Sequence, residues 1–141
     1  MESFEWGEKS KEVLSEIHPA LARVANMALN MGIIDIALVC GKREKKEQNK
    51  KYKEGLSEKK FPDSKHNLQP GEKHVDAFDA YPFVNGEVSY NPVHCAVMAT
   101  LFKVCARLTG IKIRWGGNWD MDAEPVTDQA LDDLGHFERV E

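Results

Sequence analysis

The chain has few cysteines, and their spacing excludes several kinds of site. Its three cysteines, Cys40, Cys95 and Cys105, include no CxxC pair, so neither a cysteine-rich zinc cluster nor a CxxC redox motif is present. Each lies in or beside an apolar stretch, which predicts reduced and mostly buried thiols rather than disulfides. Reduced thiols are typical of a protein made in a reducing compartment.

Long apolar runs are also absent. No stretch approaches the ~20 apolar residues of a membrane span, so insertion into a membrane is not expected. The opening residues, Met-Glu-Ser-Phe-Glu-Trp, lack the basic segment followed by an apolar segment that marks a secretory signal peptide. We therefore expect synthesis in a cytoplasm without a signal peptide.

The chain lacks a strong charge of either sign. Its net charge of −4 identifies no partner, although Lys42–Lys60 is basic and Asp120–Glu141 is acidic. The basic segment has one aromatic residue, Tyr52, and four interleaved glutamates: Glu44, Glu47, Glu54 and Glu58. This pattern favours a solvated helix face, and we expect no nucleic-acid partner.

A length of 141 residues, with 42% hydrophobic and 30% charged residues, is typical of one globular domain spanning 1–141. Apolar spacing, capping residues and breakers predict the elements. The predicted helices are Ser10–Ile17, Pro19 to a stop at Gly32, Lys45–Glu54, and Asn91–Thr109. The predicted strands are Ile33–Cys40, His74–Ala80, Ile111–Trp115 and His136–Val140. This order predicts an α+β fold, with helices packed on a short, mainly antiparallel sheet.

The longest helix and the preceding turn carry the clearest local signals. Asn91 and Pro92 are good helix-start residues, and Gly110 is a stop signal. Asn85-Gly86 predicts a tight turn, with Pro82 placed at the same turn. The apolar residues expected to face the core from this helix are Val97, Leu101, Val104, Cys105 and Leu108.

Two histidines and an aspartate, His66, Asp79 and His136, are the strongest indication of chemistry. Two imidazoles and one carboxylate form a typical catalytic zinc set, which leaves the fourth position open for water or substrate. Asp133 precedes His136 by three residues and could take a proton from that water. The pattern predicts a zinc hydrolase.

Strand geometry restricts the choice of ligands. Side chains alternate faces along a strand, so in the predicted strand Asp76 and Asp79 point in opposite directions and only one can face a metal. By the same rule His136 and Glu138 share a face. We expect His136 at the entrance of the last strand, with Asp133 on the preceding turn.

Three short motifs surround these residues and resemble a known family. They are Ser64-Lys65-His66, then Ala77-Phe78-Asp79-Ala80-Tyr81-Pro82, then Asp133-Leu134-Gly135-His136. They are similar to the S-[KR]-H, A-x-D-x-x-P and [DE]-x-x-H motifs of phage-type L-alanyl-D-glutamate endopeptidases of the M15 zinc peptidase family. The resemblance extends to Gly41-Lys42-Arg43, Gln48, Tyr52–Gly55 and Ile113–Trp119, and so covers nearly the whole chain.

The resemblance implies a role for each matched residue. It implies that His66, Asp79 and His136 bind zinc and that Asp133 is the general base and proton shuttle. Arg43 would bind substrate or stabilise the oxyanion, and Ser64 would support the site or contact substrate.

One departure from the family pattern introduces rival ligands. The family separates the first histidine from the aspartate by a short gap, whereas Asn67–Asp76 lengthens it here and adds His74 and Asp76. The A-x-D-x-x-P context selects Asp79.

The function implied is hydrolysis of the L-alanyl-D-glutamate bond in peptidoglycan stem peptides by a zinc-dependent, phage endolysin-like enzyme. The alternatives are a D-alanyl-D-alanine-type carboxypeptidase and a non-catalytic wall-binding zinc module, which would need neither Asp133 nor Arg43. We expect a monomer without a separate wall-binding domain, made in a host cytoplasm and acting on the wall after release.

Other residues leave open alternatives. Trp115 and Trp119 fit either the core or a cleft wall. Asp120, Asp122 and Asp128 could bind a hard cation such as calcium, but their spacing does not match an EF-hand. A solvated loop is the preferred interpretation.

Overall fold

The computed structural model describes residues 3–122 and 133–141, and the predicted fold class is confirmed. Four helices are present in the described residues: α1 (Glu8–Glu16), α2 (Pro19–Asn30), α3 (Lys45–Lys53) and α4 (Pro92–Thr109). The strands are β1 (Ile36–Cys40), β2 (Ala77–Val84), β3 (Glu87–Val88), β4 (Ile113–Gly116) and β5 (Asp133–Arg139).

The strands form one antiparallel sheet in the order β1-β2-β5-β4. β3 pairs with the far end of β2 as a hairpin, and the turn residues Asn85 and Gly86 both have positive φ. Asn-Gly suits such a turn because both residues tolerate this conformation. The predicted tight turn is confirmed.

The helix boundaries follow the capping signals. The His18 Nδ1 atom accepts a hydrogen bond from the Ala20 amide at the start of α2, where Pro19 is the first helical residue. Asn91 caps α4 through the Val93 amide, and Gly110 ends it in the left-handed conformation. These contacts satisfy amide groups that a helix end leaves unpaired.

One face of the sheet packs on α4 through three phenylalanines in mutual contact. The ring of Phe102 on α4 lies 5.4 Å from Phe78 on β2 and 4.6 Å from Phe137 on β5. α2 packs on α4 and buries Leu21 and Val24. All three cysteines are free; Cys95 and Cys105 are buried, and Cys40 is half-buried.

The predicted core face of α4 is wrong. Val97, Val104 and Leu108 are exposed, whereas the buried residues are Cys95, Met98, Ala99, Phe102, Cys105 and Ala106. Two apolar stripes run along this helix, and the inner one combines the large Phe102 with alanines that allow close approach to the sheet. Of the five predicted core residues, Cys105 is buried and Leu101 is half-buried against the core.

All four predicted strands differ from the observed ones at one or both ends, and the differences in β2 and β5 bear on the site. β2 starts at Ala77 instead of His74 and continues through Pro82, which lies opposite Ile36. β5 starts at Asp133, which pairs with Gly116 across a bulge, so Asp133 is the first strand residue and not part of a turn. Among the described residues no helix combines the length and apolar character needed to cross a membrane.

Candidate metal centre and active-site cleft

The register of the sheet places two of the candidate ligands side by side. Asp79 on β2 lies directly opposite His136 on β5. Residues that face each other across antiparallel strands project to the same side of the sheet. The neighbouring residues Phe78 and Phe137 therefore point to the other side, where they meet α4. The two faces thus separate the polar site from the core.

The third candidate, His66, comes from the loop before β2 and is held at several points. Its Nδ1 atom donates to the Gly41 carbonyl over 2.7 Å. Its amide donates to the Ser64 hydroxyl over 3.1 Å, and its carbonyl accepts from the Arg43 amide over 2.8 Å. Ser64 is buried and therefore supports the loop that presents His66.

Three donor atoms converge where these side chains meet. The His66 Nε2 atom is 3.2 Å from Asp79 Oδ1 and 3.2 Å from His136 Nδ1, and the last two atoms are 3.4 Å apart. A tetrahedral zinc ion with bonds of about 2.0–2.1 Å needs ligand atoms about 3.3 Å apart. The spacing of the three atoms fits such an ion.

The outer nitrogen of each imidazole has its own acceptor. His66 Nδ1 donates to Gly41 O, and His136 Nε2 donates to Glu138 Oε1 over 2.8 Å. With both protons directed outwards, the inner nitrogens present lone pairs towards the Asp79 carboxylate. Converging lone pairs repel unless a cation lies between them, so the donor set fits a bound metal.

Glu138 was not among the residues selected from the sequence. Besides His136, it contacts Lys65 Nζ at 3.5 Å and Arg114 Nη1 at 3.7 Å. Burial would raise the pKa of Glu138, but these neighbours, His136 first, lower the pKa overall. The shared strand face of His136 and Glu138 was the signal that could have identified it.

Arg43 is buried beside the Asp79 carboxylate and is not a surface residue. Its guanidinium is buried and bonds Asp79 Oδ2 at 3.3 Å and Gln48 Oε1 at 2.9 Å. The alternative pairing with Glu44 or Glu47 is not seen in the described residues. The Arg43 Nε atom is buried without a hydrogen-bond partner in this part of the chain.

Asp133 provides a second carboxylate beside the candidate ligands Asp79 and His136. A carboxylate oxygen of Asp133 lies within 4.8 Å of the ligand atoms of Asp79 and His136. Burial raises the pKa of Asp133, and the negative charge of Asp79 raises that pKa further. A carboxyl with a raised pKa is suited to exchange protons near neutral pH.

The protonation of the ligands reflects their mutual contacts. Burial would lower the pKa of His66, but the Asp79 carboxylate outweighs it and raises the pKa to about 10. Burial opposes the charged form of Asp79 too, yet the two histidines hold the pKa of that carboxyl well below its usual range. The site therefore attracts positive charge, as a proton or as a metal ion.

The rival ligands lie elsewhere. Asp76 precedes β2 and pairs with Arg139 at 2.9 Å, and His74 lines a neighbouring depression together with Asp76. Cys40, His66 and Asp79 form a second possible metal-binding group. However, Cys40 Sγ lies 3.9 Å from the His66 nitrogen that Gly41 occupies, away from His136.

His66, His136 and Asp133 line a cleft of about 430 Å³. Trp119 lines this cleft with its ring 5.2 Å from that of His136, whereas Trp115 is buried in the core. Side chains of both charges line the cleft, namely Arg43, Lys59, Lys65, Arg114, Glu58 and Asp63. Of the acidic loop, Asp120 and Asp122 are described, but Asp128 lies outside the described residues.

Comparisons with known proteins show what this chain is similar to. The model of a family described as phage L-alanyl-D-glutamate peptidase matches residues 2–140. An L-alanyl-D-glutamate peptidase of Escherichia phage T5 is 29% identical over 143 residues, covering 98% of this chain and 99% of that protein. The crystal structure of the Serratia marcescens L-Ala D-Glu endopeptidase ChiX superposes with a TM-score of 0.77 at 27% identity, covering 99% of this chain and 92% of that one.

Proposed function

This chain belongs to the phage L-alanyl-D-glutamate peptidase family and is a peptidoglycan endopeptidase, and we propose that it works with zinc bound by His66, Asp79 and His136. The L-alanyl-D-glutamate bond of the stem peptide is the bond hydrolysed. The names of the relatives favour this reaction over the D-alanyl-D-alanine carboxypeptidase alternative.

The observation that carries the zinc assignment is the convergence of three donor atoms at 3.2, 3.2 and 3.4 Å. A hydrogen bond holds the outer nitrogen of each imidazole. His66 Nδ1 bonds the Gly41 carbonyl, and His136 Nε2 bonds the Glu138 carboxylate. Such outer contacts set which ring nitrogen is free to bind a metal. Asp79 supplies the negative charge that the ion needs.

A zinc ion in this position would polarise the scissile carbonyl and lower the pKa of the attacking water. Asp133 takes the proton from that water and then delivers it to the leaving amine of D-glutamate. Its raised pKa supports both steps, because a base with a pKa closer to neutral also returns the proton readily. A silent wall-binding module would have no use for this carboxyl.

Arg43 and Ser64 have supporting parts in the proposal. Arg43 directs its positive charge at the outer oxygen of Asp79 and lines the cleft, where it can stabilise negative charge that develops on the substrate carbonyl. Ser64 holds the His66 loop through the His66 amide.

The proposal extends to the setting in which the enzyme acts. The whole of 1–141 is the catalytic domain, the partner is the peptidoglycan stem peptide, and the protein works as a monomer. Its likeness to a phage enzyme supports synthesis in a host cytoplasm and action on the wall after release.

Digestion of purified peptidoglycan, followed by mass analysis of the fragments, tests this function. The expected products carry a new carboxyl group on L-alanine and a new amino group on D-glutamate. A chelator should abolish their formation, and added zinc should restore it. Release of free D-alanine without those products would establish the carboxypeptidase instead.

A further inference from the structure

The outward side of α4 carries apolar side chains that nothing in the described chain covers. Tyr90, Val93, Val97, Val104 and Leu108 are between 42% and 70% exposed. Along an α-helix, positions 93, 97, 104 and 108 lie on one side. We call these residues, with Lys103 and Arg107 on the helix and Lys112 just beyond its end, the α4 outer face.

The charge of this face has one sign. From Val88 to Lys112 the sequence contains Lys103, Arg107 and Lys112 but no aspartate or glutamate. The whole chain, in contrast, has 23 acidic and 19 basic residues. An apolar and purely cationic face on an acidic protein is complementary to a partner that is apolar and anionic.

We propose that the α4 outer face binds peripherally to a membrane surface rich in anionic lipid. The helix has 18 residues and so measures about 27 Å, long enough to lie along a bilayer. Its valine and leucine side chains can enter the headgroup boundary while the lysine and arginine heads meet lipid phosphates. Tyr90 precedes the helix, and tyrosine favours such a boundary.

A second copy of this chain is a less suitable partner for the α4 outer face than an anionic membrane surface. Two-fold pairing brings the same surface of each subunit together. Lys103, Arg107 and Lys112 would then approach their own counterparts with no acidic residue on either face to compensate. The same charges favour anionic headgroups.

The position of α4 makes membrane binding compatible with hydrolysis. Phe102 packs against Phe78 and Phe137 on one face of the sheet, whereas Asp79 and His136 project from the other. A molecule lying on a membrane through α4 therefore holds its cleft away from the lipid and open to substrate.

Co-sedimentation of the full-length, zinc-loaded protein with lipid vesicles tests the proposal. Vesicles of phosphatidylcholine mixed with phosphatidylglycerol should bind the protein, and binding should weaken as salt is added. Vesicles of phosphatidylcholine alone should bind little. Equal binding to both vesicles, or no binding to the anionic ones at low salt, would overturn the proposal.

Paired variants locate the contact. Arg107→Gln with Lys112→Gln should weaken binding roughly fivefold per cation, or about 25-fold together. The matched control, Lys50→Gln with Lys53→Gln on α3, removes the same charge beside interleaved glutamates and should change binding little. Equal loss in both pairs would mean that net charge alone drives binding, which contradicts a specific face.

An apolar variant separates lipid from self-association. Val104→Ser with Leu108→Ser should reduce vesicle binding while leaving zinc content and hydrolysis of a soluble stem peptide unchanged. If light scattering instead shows a dimer that these substitutions dissociate, the α4 outer face is a subunit interface and the lipid proposal is wrong.

Discussion

At the scale of single residues, Asp79 connects the whole site. One carboxylate oxygen faces both imidazoles, and the other faces the Arg43 guanidinium. The contacts with the imidazoles and with the guanidinium fix the orientation of the Asp79 carboxylate from two sides. A carboxylate held in this way is suited to the metal-binding role that we propose for it.

Replacing Asp133 separates proton transfer from metal binding. Asp133→Asn keeps the size of the side chain but cannot accept the proton, so we expect zinc to be retained and peptidoglycan cleavage to fall by at least ~10²-fold. Zinc content and fragment release should be measured on the same preparation. Asp120→Asn, an exposed acid in the nearby loop, is the control and should remain active. Cleavage by Asp133→Asn at the wild-type rate would remove the base role.

Replacing Glu138 tests whether its hydrogen bond with His136 Nε2 orients the imidazole. Glu138→Gln removes the charge that accepts the His136 Nε2 proton, so zinc affinity should fall by about 10–100-fold. Competition with a chromophoric chelator measures this affinity without reference to activity. Glu87→Gln, on an exposed strand, should bind zinc as the wild type does. Equal zinc affinities of the two variants would show that Glu138 does not orient His136 for metal binding.

At the scale of the elements, the end of β4 determines where Asp133 lies. Gly116 pairs with Asp133 at a bulge, and a Cβ atom at Gly116 would lie 2.0 Å from the Asp133 carbonyl oxygen. Since that neighbour is backbone, it cannot move aside as a side-chain tip could. Only glycine allows the two strands to approach at this point.

Gly116→Ala should therefore displace the start of β5. Strain of this kind typically costs about 1–3 kcal/mol, so we expect a lower unfolding midpoint and slower cleavage, with the ligands themselves unchanged. Gly7→Ala is the control, because its added Cβ meets nothing within 4 Å. Denaturant unfolding and fragment release measure both effects, and wild-type behaviour in both would show that the contact is easily relieved.

The elements also show what local sequence can and cannot predict. The caps His18 and Asn91 and the Asn85-Gly86 turn were predictable because each acts through its own neighbouring backbone. The inner face of α4 was not, because two apolar stripes share the helical period. Packing against Phe78 and Phe137 selects between them, and that contact is not local.

At the scale of the whole molecule, the site depends on residues far apart in the chain. His66 and His136 are 70 positions apart and meet only because β2 and β5 pair in one register. The motif contexts predicted that His66, Asp79 and His136 form one site, and the structure brings the three side chains together. That they bind a metal, and that Asp79 rather than Asp76 does so, stays a prediction. The contact of Glu138 with His136 could have been inferred from the strand face that they share. The contact of Gly41 with His66 could not, since it uses a backbone carbonyl 25 positions away.

Zinc binding should displace protons from the folded apoprotein. The pKa of His66 is raised to about 10 and that of His136 is raised as well. Before metal binds, the His66 ring therefore carries a second proton at pH 7, and the His136 ring carries one more often than a free imidazole does. Two unperturbed histidines would release only about half a proton per zinc at this pH. We expect more than one proton to be released per zinc bound, and zinc binding should therefore weaken as pH falls. Calorimetry in buffers of different ionisation enthalpy measures the number of protons released per zinc. A value near one half would contradict the raised pKa values of the two histidines.

The zinc content of two aspartate variants tests the central claim most directly. Asp79→Asn and Asp76→Asn make the same chemical change three residues apart, one at the proposed metal centre and one at the Arg139 ion pair. We predict about one zinc per chain in the wild type and in Asp76→Asn, and loss of most zinc and of stem-peptide cleavage in Asp79→Asn. Zinc retained by Asp79→Asn but lost from Asp76→Asn would contradict the account and move the ligand to the lengthened loop.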